Sequence, residues 1–436
     1  MKLTTLCLLF ALLAAPATVP AQTYQPSEAN LQSRREFQEA RFGIFLHWGL
    51  YAMLASGEWT MHNQNLNYKD YAMLAGGFYP SKFNAEEWVK AIKAAGARYI
   101  CFTTRHHEGF SMFHTRYSDY NIVDATPFGR DVLKELADAC HKHGIRLHLY
   151  YSHADWYRED APRGRTGLGT GRPAPKDNGE SYFNFINGQL TELLTNYGEI
   201  GAIWFDGMWD QDRNPNFDWH LDEQYSLIHK LQPACLIGNN HHITPFPGED
   251  IQIFERDLPG ENKAGMSGQA ISRLPLETCE TMNGMWGYKI NDRNYKPAKE
   301  LIRYLVKAAG KDANLLMNIG PQPDGQLPAI ALQRLSEVGK WLETYGETIY
   351  GTRGGCIPPH TWGVTTQKDN KLYVHILNLE DKALFLPLED HKVRKAMLFA
   401  DRSPLRFHEE EGGIVLYLND VPQEETDIVV ELQLKE

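Results

Sequence analysis

Five apolar runs in this chain end in residues able to carry acid–base or nucleophilic chemistry. The first, Ile44-Phe45-Leu46, leads into His47-Trp48-Gly49, and Glu58-Trp59 follows soon after. The second ends in Arg105-His106-His107-Glu108, and the third in Tyr150-Tyr151-Ser152-His153. The remaining two, Ile203-Trp204-Phe205-Asp206 and Ile251-Gln252-Ile253-Phe254-Glu255, each terminate on a carboxylate. A carboxylate pair set among aromatic rings and imidazoles suits cleavage of a glycosidic bond. One acid attacks the anomeric carbon, and the other protonates the leaving oxygen and then acts as a base.

Each of these residues also has an ordinary structural reading. A lone histidine at a strand end is usually a hydrogen-bonded scaffold residue, and tryptophans are usually core. Three histidines on adjacent strands, His47, His106 and His107, shift the balance towards function. Neutral imidazoles both donate to and accept from hydroxyl groups without placing a full charge beside an uncharged substrate. Strand alternation puts Trp204 and Asp206 on one face and Ile203 and Phe205 on the other. The same count groups His148, Tyr150 and Ser152, so Tyr150 rather than Tyr151 is the inward candidate. Trp59 and Trp204, beside polar strand ends, are read as platforms for the apolar face of a sugar. A metal site is disfavoured because such sites commonly want spaced ligands such as His-x-His or HExxH, whereas adjacent His106 and His107 should point in different directions. No cofactor is called for.

These side chains need a scaffold that gathers strand ends at one rim. Strands are expected near 44–47, 99–104, 146–152, 202–206, 236–238, 251–254 and 314–319. Amphipathic helices alternate with them near 85–95, 131–143, 182–197, 221–231, 297–309 and 328–345. Asn84 serves as an N-cap, while Gly96 and Gly144 serve as stops. Parallel neighbours require crossover connections of this kind. The turn after the first strand lacks a GxGxxG pattern, which argues against a dinucleotide-binding open sheet. The expectation is therefore an α/β fold, a (β/α)8-like barrel over residues 22–350, with its site at the carboxyl ends of the strands. Beyond residue 350 the helical period disappears. Short runs at 371–379, 392–399, 413–417 and 428–434 predict a small antiparallel β-sandwich over 351–436. The Gly-, Pro- and Arg-rich stretch 158–177 reads as a long loop of functional interest.

The chain has 436 residues, 42% of them hydrophobic, enough to bury a core without metal or disulfide staples. Lys and Arg number 44 against 55 Asp and Glu, a net charge of −11, so the basic footprint of nucleic-acid binding is missing. Lys2 followed by the apolar run 6–15 and Val19-Pro20-Ala21 reads as a cleavable signal peptide over 1–21. That implies a secreted or periplasmic product without a membrane span. Of the cysteines, Cys7 would leave with that segment. Cys101, Cys140, Cys235, Cys279 and Cys356 lack CxxC spacing, with Cys101 and Cys235 placed in the core and a single bridge left open.

Taken together, these segments resemble the retaining α-L-fucosidases of glycoside hydrolase family 29. The resemblance rests on Arg41-Phe42-Gly43-Ile44-Phe45-Leu46-His47-Trp48-Gly49, Gly57-Glu58-Trp59, Thr104-Arg105-His106-His107-Glu108-Gly109-Phe110 and Tyr150-Tyr151-Ser152. It continues through Ile203-Trp204-Phe205-Asp206-Gly207, Trp286-Gly287-Tyr288 and Leu315-Leu316-Met317-Asn318-Ile319-Gly320-Pro321 with Asp324-Gly325. The resemblance implies an exo-acting enzyme that releases α-L-fucose from a fucosylated oligosaccharide or glycoconjugate. It implies Asp206 as nucleophile, with His47, His106, His107, Tyr150 and Trp204 around the sugar and Glu58 with Trp59 as a wall. Glu255 is the favoured acid/base and Asp257 and Glu277 its competitors, Glu277 standing in a motif read as ordering a loop. Where some family members carry a sugar-contacting arginine, this chain has Asn239-Asn240-His241-His242, and either histidine could substitute. The rival readings are a retaining glycosidase for a related sugar such as a galactoside, and a non-catalytic fucose-binding protein.

Overall fold

The computed structural model describes residues 24–176, 179–388, 392–419, 421 and 426–435. The expected signal segment, 1–21, lies outside the described residues. Eight strands form one parallel sheet: β1 (Phe42–Leu46), β2 (Tyr99–Arg105), β3 (Arg146–Ser152), β4 (Ala202–Asp206), β5 (Leu236–Asn239), β6 (Gln252–Glu255), β7 (Leu276–Thr281) and β8 (Ala313–Ile319). Their order is β5-β4-β3-β2-β1-β8-β7-β6, and a parallel bridge between Gly238 and Ile251 brings the two edges together. The result is the nearly closed (β/α)8-like barrel that the alternation of strands and helices leads one to expect.

A first helix, α1 (Glu28–Ala40), precedes the barrel. The crossovers are α2 (Ala85–Ala94), α3 (Val132–His143), α4 (Glu180–Asn196), α5 (Leu221–Leu231), α6 (Ala298–Gly310) and α7 (Ala329–Tyr345), the last one following β8. Local chemistry sets their ends. The Asn84 side chain accepts from Glu87 N and the Asp131 side chain from Lys134 N, which satisfies helix-start donors. Gly144 takes the left-handed conformation that closes α3. The connections β5–β6 and β6–β7 have no helix. Strand β7 departs from the sequence reading, which placed Glu277 in a loop motif. Its Leu-Glu-Thr-Cys-Glu-Thr run lacks a strand's apolar signature because its inward side chains serve a polar barrel interior. Among the described residues, no helix is long and apolar enough to cross a membrane.

Period-two alternation splits the barrel strands between two cores. Ile44, Leu46, Ile203 and Phe205 pack outward beneath the helices. Phe45, Tyr99, Cys101, Tyr150, Trp204 and Cys279 fill the barrel interior. Cys101, Cys140, Cys235 and Cys279 are buried free thiols, and Cys356 is exposed and free.

The chain then builds two antiparallel sheets. One contains β9 (Arg353–Gly354), β10 (Gly363–Lys368), β11 (Lys371–Ile376), β13 (Val393–Leu398) and β16 (Ile428–Leu434), in the order β13-β16-β11-β10-β9. The other contains β12 (Ala383–Pro387), β14 (Phe407–Glu410) and β15 (Gly413–Tyr417), in the order β12-β15-β14. Leu372, Val374, Val430, Leu432, Ile414 and Leu416 meet between them. A buried polar relay ties the larger sheet to the barrel. His375 Nδ1 lies 2.7 Å from Asp427 Oδ2 and His375 Nε2 lies 3.1 Å from Thr366 Oγ1, which donates to Thr348 O. Asp427→Ala would strand the buried imidazole, so it should cost about 1–3 kcal/mol. Asp427→Asn, which keeps an acceptor, should lose less; melting temperatures of the two variants check the difference.

Candidate active site

At the carboxyl ends of the strands lies a cavity of about 190 Å³. Drug-sized pockets start near ~300 Å³, so this one has room for little more than a single sugar ring. Phe45 and Trp204 reach it from the barrel interior. His47, His106, His107, Tyr150, Asp206 and Glu255 line it. Trp59 reaches the cavity from the segment after β1 and stacks on Trp209 with ring centroids 5.7 Å apart. Of the residues expected to touch the sugar or carry the reaction by first choice, Glu58 alone stays outside the lining. It is buried behind the wall, where its Oε2 accepts from Gly287 N at 2.7 Å and so fixes the segment that carries Trp286 into the cavity.

The two carboxylates end β4 and β6, and Asn240 spans them. Its Nδ2 lies 3.4 Å from Asp206 Oδ1 and 2.8 Å from Glu255 Oε2, so those oxygens are within about 6 Å of each other. Asp206 is saturated with donors. Tyr150 Oη donates to Oδ2 at 2.8 Å, while Gly207 N and Trp209 Nε1 donate to Oδ1 at 2.7 and 2.8 Å. The Gly207 contact needs the positive φ of 86°, and a Cβ there would fall 2.6 Å from Ala154 N. Burial, then the charge of Glu255, lifts the Asp206 carboxyl to about 6 against the pull of Trp209 and Tyr150. Burial also pushes Glu255 upward. His242, at 3.2 Å, together with Asn240 and Arg256, outweighs that push and holds Glu255 below its ordinary range.

The other acid/base candidates lie elsewhere. Asp257 turns away from the cavity and accepts from the backbone N–H groups of Lys263 and Ala264. Glu277 sits below the cavity floor, accepting from Tyr99 Oη at 2.6 Å and Trp204 Nε1 at 2.8 Å. Burial lifts its carboxyl to about 7. The two histidines that follow β5 also part company. His241 is buried against Glu249, whereas His242 lines the cavity.

His106 and His107 do not diverge as adjacent strand residues would. A register shift between Thr103 and Arg105 breaks the alternation, and both rings face the cavity with centroids 4.2 Å apart. Their hydrogen bonds fix which nitrogen carries the proton. Ser152 Oγ donates to Ala154 O, so it accepts from His107 Nδ1 at 2.6 Å. Asn318 Nδ2 donates to Trp286 O, so its Oδ1 accepts from His47 Nδ1 at 2.7 Å. Both rings therefore keep Nε2 as a lone pair. His106 Nδ1 is buried without a partner among the described residues. An orphaned N–H costs more than an unused lone pair, so its proton belongs on Nε2. Burial drops His47 and His107 to about 3 and pushes His106 down as well, so all three are neutral.

Sequence reasoning missed Arg165, Trp209, Asn240 and Asn318. Arg165 comes from the long loop after β3, and its guanidinium lies 5.2 Å from the Trp209 ring centroid. Trp209 follows Asp206 by three residues, a spacing that could have marked it. Imidazole ¹⁵N spectra of histidine-labelled protein at pH 7 should show Nδ1-protonated His47 and His107 and Nε2-protonated His106. Ser152→Ala should move the His107 proton to Nε2 and leave His47 unchanged; an unchanged His107 would contradict the assignment.

The comparisons with known proteins address the chain as a whole. The Alpha-L-fucosidase family profile matches residues 11–347. Plasma alpha-L-fucosidase of Homo sapiens is 29% identical over 460 residues, covering 94% of this chain and 89% of its own. Among solved structures, alpha-L-fucosidase isoenzyme 1 from Paenibacillus thiaminolyticus superposes with a TM-score of 0.83 at 34% identity, covering 94% of this chain and all of the other. The alpha-L-fucosidase from Vibrio sp. strain EJY3 gives a TM-score of 0.83 at 28% identity, over 94% of this chain and 74% of its own. With the family profile spanning most of its length and the same fold in the solved relatives, this chain belongs to the alpha-L-fucosidase family of glycoside hydrolases.

Proposed function

We propose that this protein is a secreted or periplasmic, exo-acting α-L-fucosidase that retains anomeric configuration, with Asp206 as nucleophile and Glu255 as acid/base. One observation carries the reading: two carboxylates joined through the Asn240 amide at the mouth of a one-ring cavity. Retaining enzymes hold their carboxyl groups roughly 5–5.5 Å apart, whereas inverting enzymes leave roughly 6.5–9.5 Å for a water. A bridge by one amide nitrogen favours the shorter spacing.

The steps follow from the donors. Asp206, accepting from Tyr150, Gly207 and Trp209, is held ionised and aimed, and it attacks the anomeric carbon as Glu255 gives a proton to the departing oxygen. The resulting glycosyl-aspartate is opened by water, whose proton returns to Glu255. Neutral His47 and His107 accept from ring hydroxyls, and His106 donates to one. Phe45, Cys279 and Trp286 offer an apolar flank suited to the methyl group of a 6-deoxy sugar. A cavity with a floor admits chain ends and not chain interiors, which supports exo action.

Asp206→Ala should reduce turnover of an aryl α-L-fucoside by about a thousandfold or more, some 4 kcal/mol of transition-state stabilisation. Added azide should then yield the fucosyl azide of inverted configuration; a variant with near-normal activity would remove Asp206 from its role. The acid limb of kcat/KM is a separate check. Asp206 must be ionised to attack, and its carboxyl titrates at about 6, so activity should fall as pH drops below about 6 and be complete above it.

A further inference from the structure

We propose that His242 is a positioning residue that shares one proton with Glu255 and keeps it available for the leaving oxygen. This rests on the retaining-fucosidase reading above. Glu255 Oε2 has two side-chain partners among the described residues, Asn240 Nδ2 at 2.8 Å and His242 Nε2 at 3.2 Å. An amide cannot surrender a proton at working pH, so His242 is the partner able to exchange one. The backbone prepares this contact. His242 adopts a φ of 65°, in the left-handed region that residues with a Cβ seldom occupy, and its ring faces Glu255 while that of its neighbour His241 faces Glu249. His242 also lines the cavity, on the same side as Glu255.

The chemistry needs such a partner. Protonation of the leaving oxygen requires a proton on Glu255, yet this carboxyl is held below its ordinary range. His242 is the first of the groups that hold it there, against the push of burial, so the proton that Glu255 gives up is held across that contact. The other charged or titratable groups acting on Glu255 among the described residues are Asp206, Glu58, Arg256, His47, Tyr150 and Cys279, and none of their side chains hydrogen-bonds its carboxylate. A contacting imidazole–carboxylate pair titrates as a unit, losing its shared proton at a higher pH than the carboxyl would alone. In the first step the proton passes from His242 Nε2 through Glu255 Oε2 to the leaving oxygen, which takes the electron pair of the broken C1–O bond. Asp206 forms the new bond to C1. In the second step water adds at C1, the C1–Asp206 bond breaks back to the carboxylate, and the water proton returns through Glu255 to His242.

The test compares pH profiles of kcat/KM for phenyl and 4-nitrophenyl α-L-fucosides in the wild type, His242→Gln and His242→Ala. In both variants the alkaline limb for the phenyl substrate should move at least about one unit to lower pH, with about a tenfold or larger loss at pH 7. The 4-nitrophenyl substrate, whose leaving group needs little protonation, should stay within about threefold. Equal losses on both substrates, an unmoved limb, or a wild-type profile for His242→Gln would overturn the shared proton, since glutamine keeps the hydrogen bond but holds no exchangeable charge. A wild type that cleaves neither fucoside would instead defeat the fucosidase reading, and this inference with it.

Discussion

Two acids buried within about 6 Å of each other repel when both are ionised, and burial strips the water that would quiet them. The site is organised around that constraint. Asn240 donates to both carboxylates with one amide nitrogen, and the rest of the donor supply is unequal. Asp206 receives a phenol, an indole and a backbone N–H, all of which lack a proton to give at neutral pH. Glu255 receives an imidazole, the partner to which the proposal above gives a proton to trade. The asymmetry separates an acid whose partners only hold it from an acid whose partner can trade with it. Two like groups thus become suited to two different tasks.

The same principle runs down the barrel. Its interior is not simply apolar, because the cavity floor must be rigid. Trp204 stacks on Tyr150 with centroids 5.5 Å apart and is tethered from below by Glu277, which also holds Tyr99. Tyr150 in turn reaches Asp206, so a buried carboxylate in β7 is linked through two aromatic rings to that carboxylate. Removing the Glu277 acceptor would leave an indole N–H and a phenol without partners in a dry interior. That cost explains why a carboxyl group occupies the barrel interior.

Much of this was legible in the sequence, for identifiable reasons. Strand alternation is strict where a strand is regular, so Tyr150 faces the cavity while Tyr151 turns to Gln189, and Trp204 faces inward while Phe205 packs outward. Caps such as Asn84 and stops such as Gly144 act within a few residues, and their effects could be read locally. What failed was long-range or irregular. β7 was missed because a polar interior erases the apolar run that marks a strand. The divergence expected of His106 and His107 assumed an unbroken pleat, which the register shift after Thr103 removes. The family resemblance implied Glu58 as a wall residue beside Trp59, whereas its carboxylate serves the backbone of Gly287.

Asn318 shows where sequence reasoning ends. It stands in the last barrel strand, far along the chain from His47, and no local pattern joins the two. Yet its orientation decides the chemistry. Because its amide nitrogen is committed to Trp286 O, its oxygen must face His47 and accept, which leaves the far side of that ring as a lone pair. Ser152 does the same for His107 through its commitment to Ala154 O. Neither residue borders the cavity, but together they set which hydroxyl groups the cavity can receive. The polarity of the binding surface is therefore written one layer behind it, in carbonyl groups that can only accept.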